Sequence, residues 1–413
     1  MTKASPDCRF CGEALDTLFA DLGTTPLSNA YVTAEDIAEN RDTAYPLVVR
    51  VCPHCFLVQA EEVVAHSDIF DRNYTYFSSY SDSWVAHAKR YAEDMERRFA
   101  LGPESLVVEV ASNDGYLLQH FKAAGIPVLG VEPTAGTAEA AIAKGIDTRI
   151  DYFNEATGKQ LAAKGSLADL TAANNVLAHV PDILDFVRGF TEILAPDGVA
   201  TFEFPHVLNL IRLNQFDTIY HEHYSYLSLL TVERVFAKAG LRVFDIEKLP
   251  THGGSLRVFA CLETAKHQPT AAVAEMRAEE RAAELDRLEG YTGFQEHIRK
   301  ACADFRAFLA KARAEGKTVV AYGAAAKGNT FFNVCGITAD DIPLIADRSH
   351  AKQGKFLPGS HIPIVAPEDL VAAKPDYVMI VAWNLAEEIR SQLAGLERDG
   401  TKFVVAIPET RIL

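Results

Sequence analysis

The stretch DTIYHEHYSYLS, residues 217–228, gathers two histidines, one glutamate and three tyrosines into twelve positions. An imidazole titrates close to neutral pH, so such a cluster has the groups to take a proton from a substrate and hand it on. If the segment were straight, Tyr220, Glu222 and Tyr224 would share one side and His221 and His223 the other; a bend would let neighbours converge. An HxH pair can bind metal, but no third ligand stands at a convincing spacing. Acid–base chemistry or ordinary buried hydrogen bonding remain as readings. His179, in TAANNVLAHV, is a further candidate for a substrate contact, with helix capping or core packing as the plainer alternative.

A second chemical signal is EVASNDGYLL, residues 109–118. A dinucleotide fingerprint wants three glycines in the first turn of an α/β sheet. Only Gly115 is kept here, with Ala111 and Asn113 in the other two places. Missing glycines argue against a pyrophosphate on that turn and suit S-adenosylmethionine, whose amino-acid end needs a close backbone and a few polar groups. In GVEP, Glu132 ends the next strand, where a carboxylate can accept both ribose hydroxyls. The candidate donor contacts are Glu109, Ala111, Asn113, Asp114, Gly115 and Glu132, with Asn174 and Asn175 at a later strand end.

Two CxxC pairs, Cys8/Cys11 and Cys52/Cys55, complete the chemistry-bearing residues, while Cys261, Cys302 and Cys335 are scattered. Four thiolates close a tetrahedral zinc site with no open position, so the expected role is structural, stabilising a small lobe with little core of its own. His54 lies inside the second knuckle and is superfluous if four sulfurs ligate.

The elements around these residues read as α/β. YPLVVRVCPHCFLVQAEEV is a strand, a metal knuckle and a second strand. DSWVAHAKRYAEDMERRF places Trp84, Val85, Ala88, Tyr91, Ala92, Met95 and Phe99 on one helical face. From residue 106 strands alternate with helices, which implies a doubly wound, mainly parallel sheet, and residues past the carboxyl ends of its strands are placed for ligands. The region 269–315, rich in Ala, Glu and Arg, reads as bridging helices. A second strand–turn–helix opening follows at KTVVAYGAAAKGNTFFNV. It combines Gly323, Lys327, Gly328 and Thr330 without Walker A spacing, yet a turn at a helix N-terminus beside a lysine suits a diphosphate. The expected division is a zinc-binding lobe over 1–70, a central Rossmann-like sheet with a methyl-donor site over 71–266, and a helical linker with a smaller Rossmann-like domain over 267–413.

The CxxC lobe, EVASNDGYLL, NNVLAHV, YHEHYSYLS, THGGSLRV and GAAAKGNT, in this order and across all three units, resemble the S-adenosylmethionine-dependent sugar C-methyltransferases. That family methylates a ring carbon of nucleotide-linked deoxysugars. The resemblance implies that the second unit, 71–266, is a class I methyltransferase sheet and the third, 267–413, a nucleotide-sugar-binding domain. It implies His223 as general base, Tyr220 and Glu222 beside it, His179 facing them, and a tyrosine from NYTYFSSYSDSW, for which Tyr74 and Tyr76 compete with Tyr76 placed first. It implies a 4-keto-6-deoxy sugar on dTDP or GDP, methylated at C3 or C5 with C3 placed first, in deoxysugar biosynthesis, with substrate contacts at Tyr74, His252, Gly323, Lys327, Asn329, Thr330 and Asp347. The alternative is a zinc-containing methyltransferase of RNA or protein.

Composition favours the small-molecule reading. The 413 residues carry 40 basic and 56 acidic side chains, a net charge of −16, whereas nucleic-acid binding needs clustered Lys and Arg. An apolar fraction of 48% with 23% charged residues is that of a globular protein. No apolar run reaches the ~20 residues of a membrane span, and the N-terminus lacks the apolar core of a signal peptide. A cytoplasmic monomer with no nucleic-acid or membrane partner is the expectation.

Overall fold

A computed structural model describes residues 6–64 and 77–413. Tyr74 and Tyr76 lie outside the described residues.

Each CxxC turn ends in a left-handed residue, Gly12 (φ 80°) after Cys11 and Phe56 (φ 60°) after Cys55. In both, the amide of that residue donates to the carbonyl of the first cysteine, Gly12 to Cys8 at 2.9 Å and Phe56 to Cys52 at 3.0 Å. The two knuckles are thus copies of one turn. They sit at the ends of an antiparallel sheet of β1 (Thr17–Pro26), β2 (Ala44–Val51) and β3 (Val58–Ala60). A fourth strand, Ser225–Tyr226, joins this sheet from the histidine-rich stretch, pairing Val58 with Tyr226 and Gln59 with Ser225.

The central sheet begins with β4 (Val107–Val110), β5 (Val128–Val131), β6 (Thr148–Arg149), β7 (Ala168–Asn174) and β8 (Leu194–Pro205). With the short strand above counted as β9 (Ser225–Tyr226), it ends in β10 (Leu241–Leu249) and β11 (Ser255–Leu262). Strand order is β10-β11-β8-β7-β4-β5-β6, with β11 antiparallel to both neighbours. Period-2 alternation explains the two covered faces: Val107 joins the cluster of Tyr91, Met95 and Phe121, while Val108 and Val110 join Phe186, Phe190 and Phe202. The first face is closed by helix Asp82–Phe99, whose Ala88, Tyr91, Ala92 and Met95 are buried as its periodicity predicts. Order reverses at β4, which has β5 on one side and β7 on the other, so the loops after β4 and β7 diverge and open a crevice at their carboxyl ends.

Helices Ala271–Ala282 and Phe294–Ala314 connect this sheet to the last unit. Glu280 on the first is fully buried and caps helix Leu229–Ala239, accepting from the amides of Leu229 (2.6 Å) and Leu230 (2.8 Å) and from His206 Nε2 (2.7 Å). The last sheet holds β12 (Val319–Tyr322), β13 (Ile345–Ala346), β14 (Ile364–Val365), β15 (Tyr377–Ile380), β16 (Lys402–Val405) and β17 (Arg411–Ile412) in the order β14-β13-β12-β15-β16-β17. It is parallel except for β17. Its reversal point is β12, directly before GAAAKGNT. Cys302 and Cys335, scattered in the sequence, form a disulfide between helices Phe294–Ala314 and Ala326–Cys335.

Candidate active site

One cavity of about 380 Å³ runs from the crevice after β4 and β7 to the turn after β12. At its first end Ala111 (φ 57°), Asn113 (φ 49°) and Gly115 (φ 76°) are all left-handed. The glycine-fingerprint backbone is therefore built with only one glycine, at a strain cost on the order of 1 kcal/mol for each substitute. At Gly115 a side chain would crowd as well as strain the turn, since a Cβ there would stand 2.3 Å from Ile146 Cδ1 and 3.3 Å from Ala141 Cβ.

Glu132 accepts from the amides of Asn113 and Thr134, both at 2.9 Å, which aims its carboxylate into the cavity. Burial raises its pKa and those two amides oppose the shift. Asn174 and Asn175 line the same space, and their Oδ1 atoms are buried without a hydrogen-bond partner among the described residues. Buried acceptors facing a cavity are the fit expected of a bound ligand with donors, here the hydroxyls and ammonium of S-adenosylmethionine. Tyr152 and Phe153, after β6, add aromatic surface the sequence reading did not single out. Glu109, Asp114 and Gly115 are not among the cavity-lining residues. Glu109 is buried behind the turn, with its pKa pushed well up by burial against a hydrogen bond from Tyr116. Asp114 is engaged by Ser79 and by Lys144 Nζ at 3.1 Å.

The histidine-rich stretch is bent, not straight. A short helix, Phe216–Thr218, leads into a turn in which the His223 amide donates to the Tyr220 carbonyl at 2.9 Å. Tyr220, Glu222 and His223 converge on the cavity, whereas His221 turns away to the Pro46 carbonyl, 3.2 Å from its Nε2. The His223 ring centre lies 4.0 Å from that of Tyr220 and 4.6 Å from that of His179. His223 Nδ1 is 2.9 Å from the Thr218 carbonyl. A carbonyl only accepts, so Nδ1 carries the hydrogen and Nε2 holds the lone pair. Burial, then the neighbouring His179, depresses the His223 pKa well below the usual value, so the ring is neutral. Burial pushes Glu222 up to about 7, and Asn29 Nδ2 donates to its Oε1 at 2.7 Å. Asn29, from the first lobe, carried no signal in the sequence.

His252 also lines the cavity, in a left-handed conformation (φ 53°) within THGG. Burial lowers its pKa to about 4. Beneath it a buried ionic network fixes the sheet edge. Glu203 accepts from His87 Nε2, Arg257 and Thr251 Oγ1, each at 2.9 Å. Burial alone would raise the Glu203 pKa, but His87 and Arg257 prevail and hold it low.

At the far end, Ala325, Ala326, Lys327 and Lys352 line the cavity. Helix Ala326–Cys335 starts here with no side-chain cap on its first amides. Gly323 (φ 93°) makes the turn, and Asp347 accepts from the Ala324 amide at 2.8 Å. Asn329 and Thr330 are placed otherwise than the sequence suggested. Both are buried and fasten units together, Asn329 to the Ser28 carbonyl and Thr330 Oγ1 to the Ile219 carbonyl at 2.9 Å.

The C-methyltransferase NovU of Streptomyces niveus is 37% identical over 409 residues, spanning 98% of this chain and 96% of NovU. The chain belongs to the C-methyltransferase family. Three family models match this methyltransferase in order: "Putative zinc binding domain" over 8–70, "Methyltransferase domain" over 84–246 and "C-methyltransferase C-terminal domain" over 250–408. Solved structures similar to it include an S-adenosylmethionine-dependent methyltransferase from Clostridium acetobutylicum ATCC 824, at 10% identity and TM-score 0.36, covering 43% of this chain and 92% of that one. Another is the magnesium protoporphyrin IX methyltransferase of Synechocystis PCC 6803 with bound SAM, at 15% identity and TM-score 0.32, covering 47% and 88%.

The methyltransferase uses S-adenosylmethionine as methyl donor, and its first lobe is built for zinc. Sγ of Cys8, Cys11, Cys52 and Cys55 all lie within 4.8 Å of one another, with Cys8–Cys55 at 3.6 Å and Cys11–Cys52 at 3.4 Å. Four sulfurs about 2.3 Å from a central zinc require separations of that order. Gln59 Nε2 donates to Cys8 Sγ at 3.2 Å, which supports thiolate charge. His54 is exposed in the second knuckle. No helix among the described residues is long and apolar enough to cross a membrane.

Proposed function

We propose that this C-methyltransferase acts on a nucleotide-diphosphate-linked 4-keto-6-deoxy sugar, methylating C3, the ring carbon beside the ketone, in deoxysugar biosynthesis. The observation that carries the reading is the cavity that joins Glu132 and the paired asparagines to a neutral histidine with its Nε2 lone pair available, and then to an uncapped helix start beside Lys352. A donor, an acid–base group and an anion-binding end are the three parts such a substrate needs.

His223 serves as the base. Its Nε2 takes the proton next to the ketone, and the Thr218 carbonyl keeps the ring in the tautomer that allows this. Tyr220 and Glu222, whose carboxyl keeps its proton up to about pH 7, supply O–H donors beside it, with His179 and His252 completing the pocket. Asn113, Glu132, Asn174 and Asn175 hold S-adenosylmethionine, which when bound supplies an electrophilic methyl group. Ala325, Ala326 and Lys352 meet the diphosphate at the helix start. The chain divides as 1–70, 71–266 and 267–413, zinc lobe, donor unit and nucleotide-sugar unit.

Solvent exchange tests the assignment. Wild-type enzyme incubated in D₂O with a panel of dTDP- and GDP-linked 4-keto-6-deoxy sugars and S-adenosylhomocysteine should wash deuterium into C3. His223→Ala should abolish the exchange and lower turnover by about 10² or more, the usual worth of a positioned base. Wild-type exchange rates in that variant would refute His223 as the base.

A further inference from the structure

We propose that Lys327 is a catalytic residue, an electrophile whose ammonium meets the ketone oxygen of the substrate and stabilises the enolate as His223 removes the proton. The assignment rests on the keto-sugar reading above and departs from the expectation that Lys327 holds the diphosphate.

Two lysines reach the far half of the cavity, and they are placed differently. Lys352 follows β13. Its Nζ donates to the Ala324 carbonyl at 2.8 Å, stands 3.5 Å from Asp347 Oδ2 and lies 5.2 Å from the centre of the Tyr31 ring. It therefore sits on the turn that starts helix Ala326–Cys335, where a diphosphate would meet free amides. Lys327 is held elsewhere, its Nζ donating to Asn384 Oδ1 at 2.7 Å and lying 4.7 Å from the centre of the Trp383 ring. The Trp383 indole in turn donates to Asp217 Oδ2 at 2.7 Å. Asp217 immediately precedes Thr218, whose carbonyl orients His223. On its other side the indole is wedged against the THGG turn, so close that a Cβ on Gly253 would come 2.2 Å from it. Lys327 thus stands where the His223 loop and the His252 turn meet, on a shared tryptophan.

The charges fit this position. His223 and His252 are both neutral, and Lys327 is among the groups that depress each of them, so its charge is felt at the reacting end. Burial lowers the pKa of the ammonium itself, while Asp217 opposes the shift across the indole. A cation held by a neutral amide and a ring face keeps hydrogen-bonding capacity for a substrate oxygen.

In the step, the C–H bond beside the ketone breaks and its proton passes to His223 Nε2. The electron pair forms the carbon–carbon double bond and the carbonyl pair moves onto oxygen, which becomes the enolate. Lys327 donates a hydrogen bond to that oxygen without giving up its proton. The carbonyl reforms as the new carbon–carbon bond is made to the donated methyl and the carbon–sulfur bond breaks, and His223 then returns its proton to solvent. A preorganised cation at a developing oxyanion in a closed site is worth about 10²-fold or more.

The test compares Lys327→Met, Lys327→Arg and Lys352→Met in the full-length zinc-loaded enzyme, with melting temperatures confirming folding. Steady-state rates and deuterium exchange are measured with the keto-sugar panel, and affinities for dTDP and GDP by calorimetry. Lys327→Met is expected to lose about 10²-fold in both turnover and exchange at saturating substrate, with nucleoside diphosphate affinity within about threefold of wild type. Lys327→Arg should recover at least about tenfold of that loss by restoring the charge. Lys352→Met should instead show its loss in KM and in nucleoside diphosphate affinity. The assignment is overturned if Lys327→Met loses nucleoside diphosphate affinity while exchanging at the wild-type rate, or if the Met and Arg variants behave alike. Wild-type enzyme that turned over none of the sugars would bring down the substrate reading itself, and this assignment with it.

Discussion

Glu222 offers the sharpest test of how the active-site loop is buried. Its side chain is within a residue only 6% exposed, and burial raises its pKa from 4.5 to about 7, with Asn29 pulling weakly the other way. At about 1.4 kcal/mol per tenfold, ionising it in the fold costs on the order of 3 kcal/mol more than in the unfolded chain. Linkage fixes the sign. Between these two pKa values the folded state holds a proton that the unfolded chain has released. The stability from this group is therefore fully present below pH 4.5 and lost as pH rises through about 7. Glu222→Gln copies the protonated carboxyl in shape, keeps an oxygen for Asn29 and cannot titrate. Denaturant unfolding of wild type and variant in parallel should give stabilities within about 1 kcal/mol at pH 5, and a variant more stable by about 3 kcal/mol at pH 8.5. Other titrating groups, including the buried Asp217, are present in both proteins and cancel to first order. An offset that is the same at both pH values would refute the reasoning, since it would mean that Glu222 is already ionised in the fold at pH 5.

Two further outcomes follow from the neighbouring geometry. Glu132→Ala should weaken S-adenosylmethionine binding by about tenfold or more while dTDP and GDP bind as before, because the carboxylate is oriented by Asn113 and Thr134 at the donor end only; calorimetry with each ligand alone decides it, and equal losses would make Glu132 a folding residue. The purified protein should contain about one zinc per chain by elemental analysis, and chelation should lower its melting temperature, because four thiolates within 4.8 Å repel unless a cation holds them.

Local features of this protein were legible in sequence because their causes are local. Short strand-like runs alternating with helices marked β4, β5 and β7, the 3.6 period marked helix Asp82–Phe99, and CxxC spacing marked both knuckles. Glu132 could be put at a strand end because in GVEP it closes an apolar run just before a proline. The bend at 220–223 could not, since it is imposed by pairing of Ser225–Tyr226 with β3, more than 160 residues away in the chain. Asn29 on Glu222, Trp383 on Asp217 and Thr330 on Ile219 are separated by 193, 166 and 111 residues, distances over which no periodicity speaks. The same blindness explains Asn329 and Thr330. Their motif suggested ligand contacts, but a polar side chain at a unit boundary serves equally to satisfy a neighbour's carbonyl. Ala111 and Asn113 show the reverse case, a left-handed backbone built without the glycines that would have announced it.

Those long-range contacts converge on one segment, and that convergence gives the zinc lobe a function at a distance from its metal. Residues 217–226 are held from the first lobe by Asn29 on Glu222 and by the β3–β9 pairing, and from the last unit by Thr330 on the Ile219 carbonyl and Trp383 on Asp217. The segment's own contributions are the turn between His223 and Tyr220 and the bond of His223 Nδ1 to the Thr218 carbonyl. A base must sit within a fraction of an ångström of its working position, because a displacement near 1 Å can cost about 10² in rate. A loop restrained by one neighbour could not hold that tolerance, whereas one tied on two sides can. Losing the metal should then act through β3 and Asn29 on the position of Glu222 and His223, far from any sulfur. The zinc lobe is in this view a clamp for the acid–base loop, and its four cysteines act on catalysis through the geometry they preserve.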